Sequence, residues 1–172
     1  TDPVTAVALS TTIGVVASGT QTGVLHLRTL EDGRLLRATV LTMPLAHRDQ
    51  EDASKASGTD FRGSSDNEVR SGGPIVNLLF CPGSALLIVV QACASATQSC
   101  ALHVLSMSAD VLSSAWVEEH IFAIAINPAD SAEVRLLTGG SKGELVVWDT
   151  APLRRLHTIS HEGNHGAIRA LR

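Results

Sequence analysis

Three histidines near the end of the chain have a residue type and spacing that could bind a metal ion. His157, His161 and His165 follow one another at intervals of four residues. On a helix this spacing would place the three imidazoles on one face. The stretch 160–166 contains Gly and Asn between two strand-like segments, so a helix is not expected there. A zinc site would also need converging ligands with hydrogen-bonded support. We therefore favour a structural role, and no metal or cofactor is predicted.

Adjacent acidic residues are the second candidates for chemistry. Three pairs lie in predicted turns or loops: Glu31-Asp32, Glu51-Asp52 and Glu118-Glu119. Two carboxylates act as acid and base only when they oppose each other in contrasting environments, whereas neighbours on a loop are usually solvated. The sequence also contains no Gly-x-Ser-x-Gly motif and no phosphate-binding glycine loop that ends in Lys-Ser/Thr. No catalytic residue is predicted, and the chain is not expected to be an enzyme.

The composition indicates a folded chain and excludes some classes of protein. Hydrophobic residues make up 44 % of the 172 residues, but only 3 % are aromatic, so the core must consist of Val, Leu, Ile and Ala. The formal net charge of −4 argues against a general nucleic-acid binder, which needs a basic face. The sequence has no apolar run of the roughly 20 residues that cross a bilayer and no recognisable leader. The three cysteines form no Cys-x-x-Cys pair, which fits reduced thiols in the cytosol.

An internal repeat organises the chain. Similar apolar segments open each repeat: Val4–Ser10, Ile75–Cys81, Ile121–Asn127 and a fourth that begins at Ile168. The starts at 75, 121 and 168 are 46 and 47 residues apart. A period of about 40–45 residues is typical of four-stranded propeller blades. The main structural alternative is an antiparallel sandwich, but the fixed period favours an all-β propeller with very little helix.

The first interval is longer because of an inserted segment. It spans 71 residues, and the surplus lies in 46–73, which is charged, rich in Ser and Gly and poor in large apolar residues. Such a segment cannot bury enough surface to offset its ordering entropy, so a disordered-like insertion is predicted. The predicted parts of a single partial propeller, 1–172, are blade 4–45, insertion 46–73, blade 74–117, blade 120–159 and the start of a further blade, 166–172. The missing blades are expected in a longer parent chain.

Glycine-rich hairpins place the strands within each repeat. In the third repeat we predict a strand over Val134–Thr138, a tight turn over Gly139–Gly143 and strands over Glu144–Asp149 and Leu153–Ile159. Glycine supplies the positive φ that such hairpins need. The first repeat matches this plan, because Ser18–Gly23 has the same length and glycine spacing.

These hairpins lead to a family resemblance. Leu136–Gly140, then Gly143, then Val146-Val147-Trp148-Asp149 resembles the WD-repeat family, whose name comes from the Trp-Asp dipeptide. Four further segments carry a more specific resemblance: Val4–Ser10, Gly14–Gly19, Asp32–Arg37 and Gly166–Leu171. These resemble the C-terminal repeats of BEACH-domain, neurobeachin-like proteins. The resemblance implies structural roles for nine positions: Ser18, Gly19, Gly23, Thr138, Gly139, Gly143, Trp148, Asp149 and His165.

The repeats also depart from the family pattern. WD repeats often carry a polar network of His, Asp, Ser/Thr and Trp within a blade. Thr138 is a suitable hydroxyl partner for Trp148, but Lys142 stands where Asp is common, and Arg28 takes the place of Trp in the first repeat. The blades are therefore expected to rely on apolar packing.

The resemblance implies a non-catalytic scaffold. Its loops at the propeller rim would bind other proteins, and a parent protein of the BEACH type would act in vesicle traffic or membrane dynamics. That parent would be cytoplasmic and peripheral to membranes. The alternative is a WD-repeat subunit of an unrelated ciliary, ubiquitin-ligase or ribonucleoprotein assembly. No specific nucleic acid is expected as a partner.

Overall fold

The computed structural model describes residues 1–42, 72–93, 99–127, 134–160 and 166–171. Within these residues the chain forms twelve strands and no helix. The strands are β1 Val4–Ser10, β2 Val15–Thr20, β3 Val24–Thr29, β4 Leu35–Val40, β5 Ile75–Phe80, β6 Leu86–Ala92, β7 Cys100–Ser106, β8 Val111–Val117, β9 Ile121–Ile126, β10 Arg135–Gly140, β11 Leu145–Thr150 and β12 Leu153–Ile159. None of the described segments is a helix able to cross a membrane.

The strands form three antiparallel meanders of four strands each. The first sheet has the order β1-β2-β3-β4, the middle sheet β5-β6-β7-β8 and the last sheet β9-β10-β11-β12. Every pair of neighbours is consecutive in the sequence, which short hairpins require. In each sheet the last pair of strands carries a register shift at the same place, between Leu27/Arg28, Val104/Leu105 and Val147/Trp148. The shared irregularity shows that the three sheets are copies of one blade.

Two apolar layers hold the three sheets face to face. One layer joins the first sheet to the middle sheet through Leu25, Leu27, Ile75, Leu87 and Val89. The other joins the middle sheet to the last. The middle sheet is therefore buried on both faces, which explains why β6 and β7 are buried almost continuously rather than at alternate positions. The fold is an all-β arc of three propeller blades, as the repeat period predicts.

The predicted strands of the last sheet need two corrections. The strand predicted over Val134–Thr138 corresponds to β10, which begins at Arg135 and continues to Gly140. The strand predicted from Glu144 begins instead at Leu145, whereas Leu153–Ile159 is as predicted. The tight turn is consequently shorter than Gly139–Gly143. Of its glycines only Gly143 has a positive φ, 76°, and Gly23 with φ 83° takes its place in the first sheet.

Gly139 and its counterpart Gly19 serve a different purpose from turn formation. Both lie within strands, where a Cβ atom on Gly19 would stand 2.5 Å from Cβ of Ile75. A Cβ on Gly139 would stand 2.5 Å from Cγ2 of Ile168. Each glycine is thus a socket for the isoleucine that opens the following repeat. The sequence analysis placed Gly139 in a turn, and this was wrong because the neighbour that requires glycine lies 29 residues further along the chain.

Replacing Gly19 by Ala is expected to destabilise the arc by about 2 kcal/mol, in the range of overpacked cores. The new methyl group would meet the Cβ of Ile75, which cannot move by changing rotamer. Ser18→Ala is the matched control, since Ser18 precedes it on the same strand and its side chain points to the opposite face. The free energy of unfolding of both variants is measured by urea denaturation. A change below 0.5 kcal/mol in Gly19→Ala would show that the sheets part easily at this point.

Candidate functional site

Trp148 and Thr138 form the only Trp–hydroxyl pair that the described hydrogen bonds contain. Trp148 lies on β11, and its indole Nε1 donates to Oγ1 of Thr138 on β10 at 2.9 Å. Both side chains are buried, and Trp148 packs into the layer between the middle and last sheets. A buried indole N–H needs such an acceptor. The partner predicted for Trp148 is therefore confirmed.

Asp149 points to the other face of the same strand. Its Oδ1 lies 3.2 Å from Nη1 of Arg135, and its Oδ2 lies 3.9 Å from Nη2 of Arg154. A quarter of the Asp149 side chain is exposed, so solvent screens these ion pairs and each contributes little. The Trp-Asp dipeptide thus divides between a buried packing residue and a surface ion pair.

The first sheet lacks a matching pair. Ser18, which corresponds to Thr138, pairs in register with His26, while Arg28 stands opposite Val16 at the place of Trp148. His165 lies outside the described residues, as does His161, and His157 is exposed on β12. Within the described ranges no group of three or more His, Cys, Asp or Glu side chains could hold a metal ion.

Comparison with solved structures places this arrangement. The WD40 repeats of RRP9 align with a TM-score of 0.64 over 98 % of this chain at 12 % identity, and U3-55K aligns with 0.65 over 98 % at 12 %. The Pan2 WD40 domain of Neurospora crassa aligns with 0.62 over 94 % at 13 %. The fold is that of WD40 propeller blades. The computationally designed Ika4 protein is also similar, with a TM-score of 0.60 over the whole chain at 20 % identity.

The comparisons establish the fold and leave the family open. This chain spans 41 %, 42 % and 39 % of the length of RRP9, U3-55K and Pan2, and 80 % of Ika4. It therefore corresponds to an arc of the natural WD40 domains. No protein-family model matches the sequence, and no curated protein matches it.

A buried polar network in the middle WD40 blade was missed by the sequence analysis. Gln91 and His103 are fully or almost fully buried, at 0 % and 1 % exposure. Nε2 of Gln91 donates to the carbonyl oxygens of Leu41, at 3.2 Å, and Gly73, at 3.0 Å. His103 connects Oε1 of Gln91, at 3.3 Å, to Oγ of Ser114, at 2.7 Å. The expectation that the blades rely on apolar packing alone is thus wrong for this blade.

The two backbone carbonyls determine the direction of the hydrogen bond between Gln91 and His103. They can only accept, so the Gln91 amide group must face them and its Oε1 must accept from His103. Nε2 of His103 therefore carries a proton, and Nδ1 of a neutral imidazole accepts from the hydroxyl of Ser114. Burial lowers the pKa of His103 from its usual 6.5 to about 4, so the imidazole is neutral at pH 7.

Gln91 also ties together the two flanks of the segment 43–71, which lies outside the described residues. Leu41 precedes this segment and Gly73 follows it. Gly72 and Gly73, the last residues of the predicted insertion 46–73, are buried, and a Cβ on Gly72 would collide with Nε2 of Gln91. A polar residue ending the apolar run Leu86–Val90 was the available signal.

In two blades, an acidic residue just before the first strand anchors the hairpin turn between the second and third strands. Asp2 accepts hydrogen bonds from the backbone N–H of Thr22, at 3.2 Å, and from its hydroxyl. Glu119 accepts from the backbone N–H of Lys142 at 3.1 Å. Glu119 is only 5 % exposed, so the prediction of a solvated Glu118-Glu119 pair is wrong for its second member. The anchor lies 23 residues from the turn, which hid it from local sequence reasoning.

An aromatic and cationic cluster lies next to Glu119, at the start of β9. The rings of His120 and Phe122 stack with centroids 6.2 Å apart, and the guanidinium carbon of Arg169 lies 5.4 Å from the Phe122 ring centre. Phe122 is 40 % exposed, although it is one of the three phenylalanines of the chain. Its backbone carbonyl accepts a hydrogen bond from Nδ2 of Asn77 on β5, the first strand of the middle blade, at 3.5 Å. We call His120, Phe122 and Arg169 the rim cluster.

An open cavity with a volume of about 400 Å³ lies at the opposite edge of the sheets. It lies between the first and second blades and is lined by their β1–β2 and β5–β6 turns, including Leu9, Ile13 and Phe80. Cys81 also lines this cavity, and burial raises the pKa of its thiol to about 11. The thiol is protonated at neutral pH and is therefore a poor nucleophile.

Proposed function

We propose that this chain is a non-catalytic scaffold that binds other proteins through its rim. The rim cluster carries the proposal, because Arg and aromatic side chains dominate the energetics of protein interfaces. Phe122 lies on β9 between Ile121 and Ala123, which are both buried. Its position is therefore fixed before a partner binds. A prearranged side chain loses little conformational entropy on binding.

We also propose that the scaffold is the WD-repeat region of a BEACH-type protein in vesicle trafficking and membrane dynamics. The support is the sequence resemblance at Val4–Ser10, Gly14–Gly19, Asp32–Arg37 and Gly166–Leu171. The partners would be other proteins, and the parent protein would supply a cytoplasmic, membrane-peripheral location. Membership of a ciliary, ubiquitin-ligase or ribonucleoprotein assembly is the alternative outcome of the experiment below.

The variants Phe122→Ala and Arg169→Glu are expected to weaken partner binding by about 30-fold each, the effect of losing an interface residue worth about 2 kcal/mol. Both change the rim cluster without touching the apolar layers between the blades. Leu112→Ala is the matched control, because Leu112 is 59 % exposed on the outer strand of the middle blade. Proteins captured by the chain are identified by mass spectrometry, and the affinity of each is then measured with the three variants.

The outcome separates the alternatives. Membrane-traffic proteins that depend on Phe122 and Arg169 would support both parts of the proposal. Ciliary, ubiquitin-ligase or ribonucleoprotein subunits with the same dependence would support the scaffold but overturn its BEACH-type assignment. Partners that bind the rim variants as well as the wild type would overturn the rim cluster as the binding site.

A further inference from the structure

The outer strand of the middle blade leaves an unpaired sheet edge. Both faces of this blade are covered by its neighbours, so its outer edge is the part that stays open. Among the described strands β8 pairs with β7 alone, and a row of free backbone N–H and C=O groups is a template for a further strand. The register with β7 is regular over Ser113–Val117, and a bulge at Leu112 ends it. We call Ser113–Val117 the open edge.

The open edge lacks the protection that the other outer strands carry. Edge strands commonly avoid unwanted pairing through charged side chains or proline. β4 contains Arg37, and β12 contains Arg154 and Arg155. The sequence of β8, by contrast, is VLSSAWV, which has neither a charged residue nor a proline. A strand can therefore be added to the middle blade without burying a charge of β8.

Trp116 gives the open edge a large side chain that can contact an added strand. Ala115 and Val117 pack toward the last blade, so Trp116 between them points to the side of the first blade. Its indole is half-buried, and within the described ranges its N–H has no hydrogen-bond acceptor. An indole that is partly apolar surface and partly unused donor is typical of interface positions. An apolar residue of an added strand would pack on it as a cross-strand neighbour.

Acidic residues stand at both ends of β8. Asp110 precedes the strand and Glu118 follows it, and both are exposed. Neither forms an ion pair with another residue that the structure describes. Whichever way it ran, a second copy of β8 would bring acidic ends together, and facing like charges are destabilising. A segment with basic residues on both sides of an uncharged core would instead be complementary to this edge.

We propose that the open edge binds an extended segment of a partner protein, which adds to the middle blade as a fifth strand. The segment has an uncharged, largely apolar core opposite Ser113–Val117 and Lys or Arg at each end. Main-chain hydrogen bonds provide the affinity, and contacts with Trp116, Asp110 and Glu118 provide the specificity. The open edge lies on β8 and the rim cluster on β9 and 166–171, so the edge is a second binding surface.

Designed peptides test the proposal by fluorescence anisotropy with the 172-residue chain. The labelled peptide KKTVIVTKK has the proposed core and flanks, EETVIVTEE reverses the flanks, and KKTVPVTKK interrupts the core. The first should bind about tenfold more tightly than either of the others, because acidic flanks meet Asp110 and Glu118 and proline removes a main-chain donor. With unlabelled KKTVIVTKK, the emission of Trp116 should shift to shorter wavelength, whereas Trp148 is already buried and should not respond.

Charge reversal in the chain gives the matched comparison. Glu118→Lys is expected to weaken the binding of KKTVIVTKK about fivefold and to strengthen that of EETVIVTEE by a similar factor. Glu31→Lys is the control, because it makes the same change of charge at an exposed position after β3 and should alter neither affinity. Phe122→Ala should also leave both affinities unchanged, so failure of the rim-binding proposal is distinguishable from failure here.

Three results would overturn the proposal. Equal affinity of KKTVIVTKK and KKTVPVTKK would show that binding does not add a strand. Equal effects of Glu118→Lys and Glu31→Lys would show attraction to the net charge of the chain rather than to this edge. A dimer that Trp116→Lys converts to a folded monomer, measured by sedimentation equilibrium and circular dichroism, would show that a second copy occupies the edge instead of a partner segment.

Discussion

Replacing Gln91 by Leu is expected to lower the free energy of unfolding by about 4 kcal/mol, although the two side chains have similar size. The change leaves three buried polar groups without a partner: the carbonyl oxygens of Leu41 and Gly73 and the Nε2–H of His103. Each orphaned group costs about 1–3 kcal/mol in a water-excluded site. Because these groups belong to two blades, the loss also weakens the contact between them.

Urea unfolding with Gln21→Leu as the control measures this effect, since Gln21 is exposed in the hairpin turn of the first blade. The control should change stability by less than about 0.5 kcal/mol. A loss below about 1 kcal/mol in Gln91→Leu would mean that water or a rearranged backbone satisfies the carbonyl groups, and the network would not be essential.

Acidification from pH 7 to pH 4 is expected to cost about 3 kcal/mol of stability through His103 alone. Burial lowers the pKa of this imidazole from 6.5 to about 4, so the folded chain binds a proton less readily than the unfolded chain. The stability is complete above pH 6.5 and decreases as the pH falls toward 4. Protonation would also force Nδ1 to donate toward Ser114, which reverses that hydrogen bond.

The difference between wild type and His103→Asn isolates this contribution, because exposed carboxylates such as Asp2 also titrate in acid. We expect the unfolding free energy of the variant to depend less steeply on pH between 4 and 6.5. His157→Asn is the matched control, because His157 is exposed on β12. Equal slopes in wild type and His103→Asn would show that His103 does not remain neutral and buried over this range.

Much of the fold follows from local pattern in the sequence. The 46- and 47-residue spacing, the apolar openings of each repeat and the turn glycines Gly23 and Gly143 indicate three four-stranded blades without helix. The Trp148–Thr138 hydrogen bond was also predictable, since the two residues are diagonal neighbours on one face of the same hairpin. These features depend on residues close together in the chain, where backbone geometry dictates which side chains meet.

Only the tertiary structure decided how the blades meet one another. The role of Gly19 depends on Ile75, and Gln91 acts on Leu41 from the next blade. None of these pairs shares a hairpin, so no local period links them. The reason is physical: a close approach or a buried hydrogen bond requires the distance between two sheets, which is determined by packing of whole faces. The sequence by itself determined three similar blades, and the packing of those blades decided which residues distant in the chain meet.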